Sequence, residues 1–111
     1  MACESCGAAT DAYGRHLPPQ QPDGFTAPSL AVDALVLRKG EYIPEILLIR
    51  RGQDPDRGCL ALPGGFVEYG ENPDDGVLRE LAEETGLTGR DPRPLTIAGH
   101  PQRDPRKHVV S

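Results

Sequence analysis

The chain has 111 residues, with 12 basic and 17 acidic side chains and a formal charge of −5. That length holds at most one domain, and no apolar run is long enough to span a membrane. The first residues lack a basic stretch followed by an apolar core, so no targeting signal is visible and cytoplasmic residence is the default. Seven acidic residues and a single arginine fall between positions 68 and 84. The acidity is therefore local, the remainder is close to neutral, and nothing points to a nucleic-acid surface.

Residues 1–27 are rich in Pro, Gly, Ala and polar side chains, and Pro18-Pro19-Gln20-Gln21-Pro22 reads as an extended linker. A flexible segment is expected there, with a folded domain over 28–111. Inside the segment Cys3-Glu4-Ser5-Cys6-Gly7 is a Cys-x2-Cys knuckle. A closed structural zinc site needs four soft ligands, and this offers two, so reduced thiols on a flexible tail are the expectation. Cys59 is isolated and reads as a small buried residue.

Leu30–Leu37 and Glu45–Arg50 are short, apolar and rich in branched residues, with a turn region at Arg38-Lys39-Gly40-Glu41. They predict a hairpin with both faces largely covered. Arg50 and Arg51 close the second strand before a polar loop over 52–58. Leu60-Ala61-Leu62-Pro63 leads into Gly64-Gly65, a pair that predicts a bend exposing backbone carbonyls. Phe66-Val67-Glu68 then resumes an extended pattern.

A helix follows. Asn72 suits the N-cap, Pro73 the first helical position, and Asp74 and Asp75 place negative charge at the positive end of the helix dipole. Gly86 ends it as a C′ glycine. At about 100° per residue, Val77, Leu78, Leu81 and Thr85 share one face, while Glu80, Glu83 and Glu84 group on the other. Arg79 stands one turn before Glu83 and can hold it. Like charges at i, i+3 and i+4 each cost a helix a few tenths of a kcal/mol, so a cation is expected against them. Hard divalent ions such as Mg²⁺ or Mn²⁺ prefer such oxygen ligands and commonly bridge a protein to phosphate. A solvated acidic face is the alternative for a bare charge run.

The spacing Gly65-x5-Glu71-x7-Arg79-Glu80-Leu81-x-Glu83-Glu84-x-Gly86-Leu87 resembles the Nudix box at every fixed position. A chance match of seven such letters has a probability on the order of 10⁻⁸ per start position. The resemblance implies an α/β Nudix fold, an α/β/α sandwich with a mixed sheet. It also implies hydrolysis of a nucleoside diphosphate linked to another moiety. Carried over residue by residue, Glu80, Glu83 and Glu84 would be ligands of Mg²⁺ or Mn²⁺, with the Gly64 carbonyl a further one. Arg79 would orient Glu83, and Glu80 would be the general base. Arg51, at a strand end beside the cleft in this family, would touch a phosphate or base. Cys59 stands where many Nudix sequences carry a tryptophan. Some Nudix enzymes have a zinc ribbon ahead of the catalytic domain, and the Cys3-Cys6 knuckle resembles half of one.

Beyond the helix, 88–94 reads as a loop, Pro94–Gly99 as a strand, and His108-Val109-Val110 as the start of another. The loop between them is basic and proline-rich. Pro101, Arg103-Asp104-Pro105-Arg106 and Val109-Val110-Ser111 resemble the ADP-ribose pyrophosphatase branch and related Nudix domains that regulate NAD metabolism. By that likeness Arg103 or Arg106 would meet phosphate or ribose. Nudix domains usually continue for some tens of residues past this point. The expectation is a domain truncated after residue 111, either a fragment or a fold completed by another chain, with a homodimer left open. ADP-ribose-cleaving relatives often take their base from a later loop, so Glu80 and a later residue both stand as candidates. The favoured function is hydrolysis of ADP-ribose to AMP and ribose 5-phosphate. Alternatives are a nucleoside triphosphate pyrophosphohydrolase, a non-catalytic nucleotide-sensing domain, or an inactive fragment.

Overall fold

The computed structural model describes residues 2–111. It contains β1 (Ser29–Asp33), β2 (Leu37–Arg38), β3 (Glu45–Ile46), β4 (Ile49–Arg50), β5 (Leu60–Ala61), β6 (Gly64–Phe66), α1 (Pro73–Thr85) and β7 (Val109–Val110). The chain separates into two compact units, one of residues 1–29 with 99–110, the other of residues 30–98 with 111.

In the larger unit the antiparallel pair β1–β6 carries the architecture, with Ala31 opposite Phe66, Val32 opposite Gly65 and Asp33 opposite Gly64. Backbone bonds extend the pair at both ends, from Val67 N to Leu30 O and from Ala34 N to Pro63 O. Helix α1 packs on β6. Leu81, from the apolar side of the helix, is buried, as are Ala34 and Pro63. The expected hairpin forms in reduced form as β2–β3, where Leu37 faces Ile46 and Arg38 faces Glu45. The run from Leu30 to Leu37 is not one strand of that hairpin. Its first part pairs with β6 instead, and the ladder breaks at Ala34 before β2 begins.

Two further expectations are corrected. The hairpin faces are not covered, since Leu37, Ile46 and Leu48 are exposed. One helix is present among the described residues, and it packs on β6. The stretch from Pro94 to Gly99 forms no strand. Only Ala98 finds a ladder-like partner, exchanging backbone bonds of 2.8 and 3.0 Å with Ser111, while Leu95 and Ile97 are 74% and 78% exposed. Branched residues extend as a strand only when a neighbouring strand takes their backbone groups.

The smaller unit is built from turns. Thr10 is buried, the Asp11 carboxylate caps a tight turn by accepting from the amides of Tyr13 and Arg15, and Gly7 takes a positive φ of 71°. Arg15 reaches the carbonyls of Pro101 and Asp104 at 2.7 and 3.0 Å. Val109 of β7 is buried, and Ser29 N donates to His108 O. No helix of the described residues is long and apolar enough to cross a membrane.

Candidate functional site

Helix α1 begins and ends where its local chemistry dictates. The Asn72 side chain accepts from Asp74 N at 2.9 Å, Pro73 opens the first turn, and Gly86 closes the last with φ 75°, its N–H donating to Ala82 O. This fixes the rotation of the helix. Leu81 is buried, and the glutamates lie on the remaining face.

One arginine organises that face. Arg79 forks onto Glu71, with Nε to Oε2 at 2.7 Å and Nη2 to Oε1 at 2.9 Å. Its Nη1 donates to Glu80 Oε1 at 2.9 Å and reaches Glu83 only at 3.3–3.4 Å. Nη2 also donates to Phe66 O, which ties the helix to β6. The expected Arg79–Glu83 contact is therefore longer than those to Glu71 and Glu80, which take the short bonds. Bidentate arginine–carboxylate geometry is the stronger form of this interaction. Accordingly the Arg79 guanidinium is held protonated well above its ordinary range, chiefly by Glu71 and then Glu80. The Arg79 bonds, with a hydrogen bond donated by the Glu68 N–H, lower the Glu71 carboxyl to about 2. Glu71 also accepts from Glu68 N, which closes the loop between β6 and α1.

The three box glutamates thus have different surroundings. The Glu80 side chain is 14% exposed and pinned by Arg79, while Glu83 is 58% exposed. Glu84 accepts from Gly64 N through Oε2 at 3.3 Å. Its carboxyl is pushed up from the ordinary value, first by partial desolvation and further by the negative charges of Glu80 and Asp33. The Gly64 amide and the Arg51 charge oppose that rise. Among the described residues, Glu80, Glu83 and Glu84 do not bring oxygens to within 4.8 Å of one another as a set.

Gly64 and Gly65 are strand residues of β6, not the expected bend. Their missing side chains matter for packing. A Cβ on Gly64 would strike the Val32 carbonyl and lie 2.6 Å from Asp33 Oδ1. A Cβ on Gly65 would lie 2.6 Å from the Glu80 carboxyl. The glycines therefore let β1 on one side and the Glu80 head on the other approach the β6 backbone. Gly76, buried within α1, gives the same clearance to Glu71, since a Cβ there would lie 2.9 Å from its Oε1.

Gly64, Arg79, Glu80, Glu83, Glu84 and Arg51 all belong to the larger unit. Arg51 Nε donates to Pro55 O at 2.6 Å, and its backbone exchanges bonds with Gly58 and Cys59. Cys59 is exposed rather than buried, because it sits in that turn at the rim of the short β4–β5 pair. Arg103 and Arg106 belong to the smaller unit. Arg106 forks onto Asp104 at 2.8 and 3.1 Å and lowers its carboxyl to about 2. Arg103 Nη2 donates to Val109 O at 3.5 Å. Sequence reasoning left Glu71 without a role, although its fixed place in the spacing was the available signal. It also missed Asp33, which only the register opposite Gly64 brings to the site.

The donor set of Glu80, Glu83, Glu84 and Asp33, with the Gly64 carbonyl, consists of oxygens. It holds more carboxylates than Arg79 and Arg51 can balance. That chemistry fits a hard divalent cation.

The NUDIX domain profile matches residues 27–111, and the chain belongs to the Nudix family. Its fold is accordingly α/β, a mixed sheet with one helix among the described residues. It is 46% identical over 87 residues to an ADP-ribose pyrophosphatase of Methanocaldococcus jannaschii, covering 78% of this chain and 49% of that protein. It is 33% identical over 93 residues to the ADPR responsive transcriptional repressor NtrR of Acinetobacter baylyi, covering 82% of this chain and 37% of that one. Among solved structures, the NUDIX domain of Shewanella oneidensis NrtR complexed with ADP ribose superposes with a TM-score of 0.72 at 34% identity. That match covers 81% of this chain and 60% of that one. The chain spans about half the length, or less, of the curated relatives it matches.

Proposed function

We propose that this chain carries the metal-binding core of a pyrophosphohydrolase whose substrate is ADP-ribose, cleaved to AMP and ribose 5-phosphate. The carrying observation is the intact carboxylate face of α1 against β6, with Glu80 pinned by Arg79 and Glu84 by the Gly64 amide. Glu80, Glu83, Glu84 and the Gly64 carbonyl would hold Mg²⁺ or Mn²⁺, with Asp33 beside them. Bound there, the metal would neutralise phosphate oxygens and lower the pKa of water. Arg79 holds the Glu80 carboxylate in place, so that it can take a proton from the attacking water. Glu71 holds Arg79 in a bidentate fork. Arg51 supplies positive charge beside Glu84 for a phosphate or base, and Arg103 and Arg106 are the candidates for phosphate or ribose.

Support for ADP-ribose comes from the named relatives, a pyrophosphatase for that compound and a Nudix domain complexed with it. The second reading, a sensing domain that binds ADP-ribose without cleaving it, is favoured by the likeness to a transcriptional repressor. Incubating the chain with ADP-ribose, with and without Mg²⁺, and following AMP release separates them. Metal-dependent AMP release is the expected result. Saturable ADP-ribose binding without AMP would establish the sensor. Preferential release of pyrophosphate from nucleoside triphosphates would replace the substrate.

A further inference from the structure

The smaller unit holds a group of ligands that the hydrolase chemistry does not use. Cys3 Sγ, Cys6 Sγ and a ring nitrogen of His16 all lie within 4.8 Å of one another. Cys6 Sγ is 3.5 Å from His16 Nε2. With Zn–S near 2.3 Å and Zn–N near 2.0–2.1 Å, a tetrahedral ion sets sulfur and nitrogen about 3.6 Å apart and two sulfurs about 3.8 Å apart. The Cys6–His16 distance of 3.5 Å matches that spacing, and Cys3 Sγ lies within 4.8 Å of both.

Two separate turns build the arrangement, so it is not an accident of sequence adjacency. The first is the knuckle, where Cys3 N donates to Ala8 O at 2.7 Å and Gly7 N to Cys3 O at 2.8 Å. Gly7 takes a positive φ that few other residues adopt readily, which bends the chain back under both thiols. The second turn, capped by Asp11, returns the chain so that His16 bridges Thr10 and Leu17 N donates to Ala9 O at 3.0 Å. Arg15, next to His16, is fixed by Asp11 Oδ2 at 2.8 Å and by the Pro101 and Asp104 carbonyls. The imidazole is thereby delivered to the knuckle from ten residues away. The three cysteines are free thiols. Ser5 Oγ, 3.1 Å from Cys3 Sγ, with His16 and Cys6, lowers the Cys3 thiol to about 6.

We propose that Cys3, Cys6 and His16 bind one Zn²⁺ ion, with water in the fourth position. Two thiolates and an imidazole are soft and borderline donors suited to zinc and unsuited to Mg²⁺ or Mn²⁺. Binding forms two Zn–S bonds and one Zn–N bond and releases to solvent the thiol protons that remain. Among the described residues no other His, Cys, Asp or Glu joins the group, which leaves the fourth position open. The ion would clamp the knuckle to the second turn.

The test is a titration of the reduced 111-residue chain with Co²⁺, read by thiolate-to-cobalt charge-transfer absorption, followed by displacement with Zn²⁺. That band reports sulfur ligands alone and is blind to metal on carboxylates. One equivalent is expected to develop the band and one of Zn²⁺ to bleach it. Cys6→Ser should abolish the band, His16→Ala should raise the apparent Kd at least about tenfold, and Cys59→Ser should change neither. In parallel, Zn²⁺ should raise the Tm of the parent chain and of Cys59→Ser but not of His16→Ala. No band, a band indifferent to His16→Ala, or a band lost with Cys59→Ser would each overturn the proposal.

Discussion

The helix α1 face and the Cys3–Cys6–His16 group are both sets of side chains that repel or desolvate one another unless a cation joins them, yet they are built in opposite ways. On α1 the proposed ligands come from one regular element, with carboxylates at i, i+3 and i+4, and Arg79 holds Glu80 in place. In the smaller unit the proposed ligands come from two turns. A helix presets its ligands through backbone geometry, whereas turns hold theirs only as firmly as their capping bonds. The helix site should therefore tolerate loss of its metal better than the turn-built site, and hard and soft ions should sort between the two without competing.

The largest effect expected is on turnover. Glu84→Gln or Glu83→Gln removes one carboxylate charge from the proposed metal set and should lower Mg²⁺-dependent hydrolysis roughly 10²–10³-fold, since metal neutralisation is worth several kcal/mol. Metal-free Tm should hold or rise slightly, because a like-charge pair disappears. A sharp drop in Tm for either change would make the glutamates structural and remove the contrast with the turn-built site.

Arg79→Ala comes next. It releases Glu80 and leaves Glu71 without its fork, so turnover should fall about 10²-fold through misplacement of Glu80, with a lower Tm as well. Arg79→Lys keeps the charge but not the bidentate geometry and should recover only part of the Tm. Equal activity in all three chains would show that Arg79 is not what orders the helix site.

A smaller change sharpens the same point. In Gly65→Ala the new methyl meets the free end of Glu80, which can swing away, so kcat should fall about tenfold while Tm barely moves. In Gly64→Ala the methyl meets the Val32 backbone carbonyl, which cannot yield, and overpacking should cost about 1–3 kcal/mol. If both variants lose stability alike, the Glu80 head is not the atom that Gly65 accommodates.

The smallest effect is on acid stability. Glu71 is lowered to about 2 in the folded chain against an ordinary value of 4.5. Its contribution is fully present above pH 4.5 and is lost as pH falls through about 2, when the folded state must also take the proton. Far-UV circular dichroism of the helix in acid titrations should show Glu71→Gln with a flatter loss of stability over that window. An unchanged slope would mean that the Arg79 fork does not couple to folding.

What the sequence determined by itself was α1 and its chemistry. The cap at Asn72, the stop at Gly86, the burial of Leu81 and the grouping of Glu80, Glu83 and Glu84 all follow from a local period of 3.6 residues and from end effects within one turn. The tertiary structure decided which partners those side chains find. Pairing β1 with β6, rather than with the strand that follows it, set Asp33 beside Gly64 and turned the two glycines from a bend into points of close approach. It drew Arg79 to Glu71, eight residues away through a loop. It also carried His16 to Cys6 across two turns. Periodicity is a property of neighbours along the chain. Register, loop closure and turn stacking depend on contacts between residues that no local pattern relates.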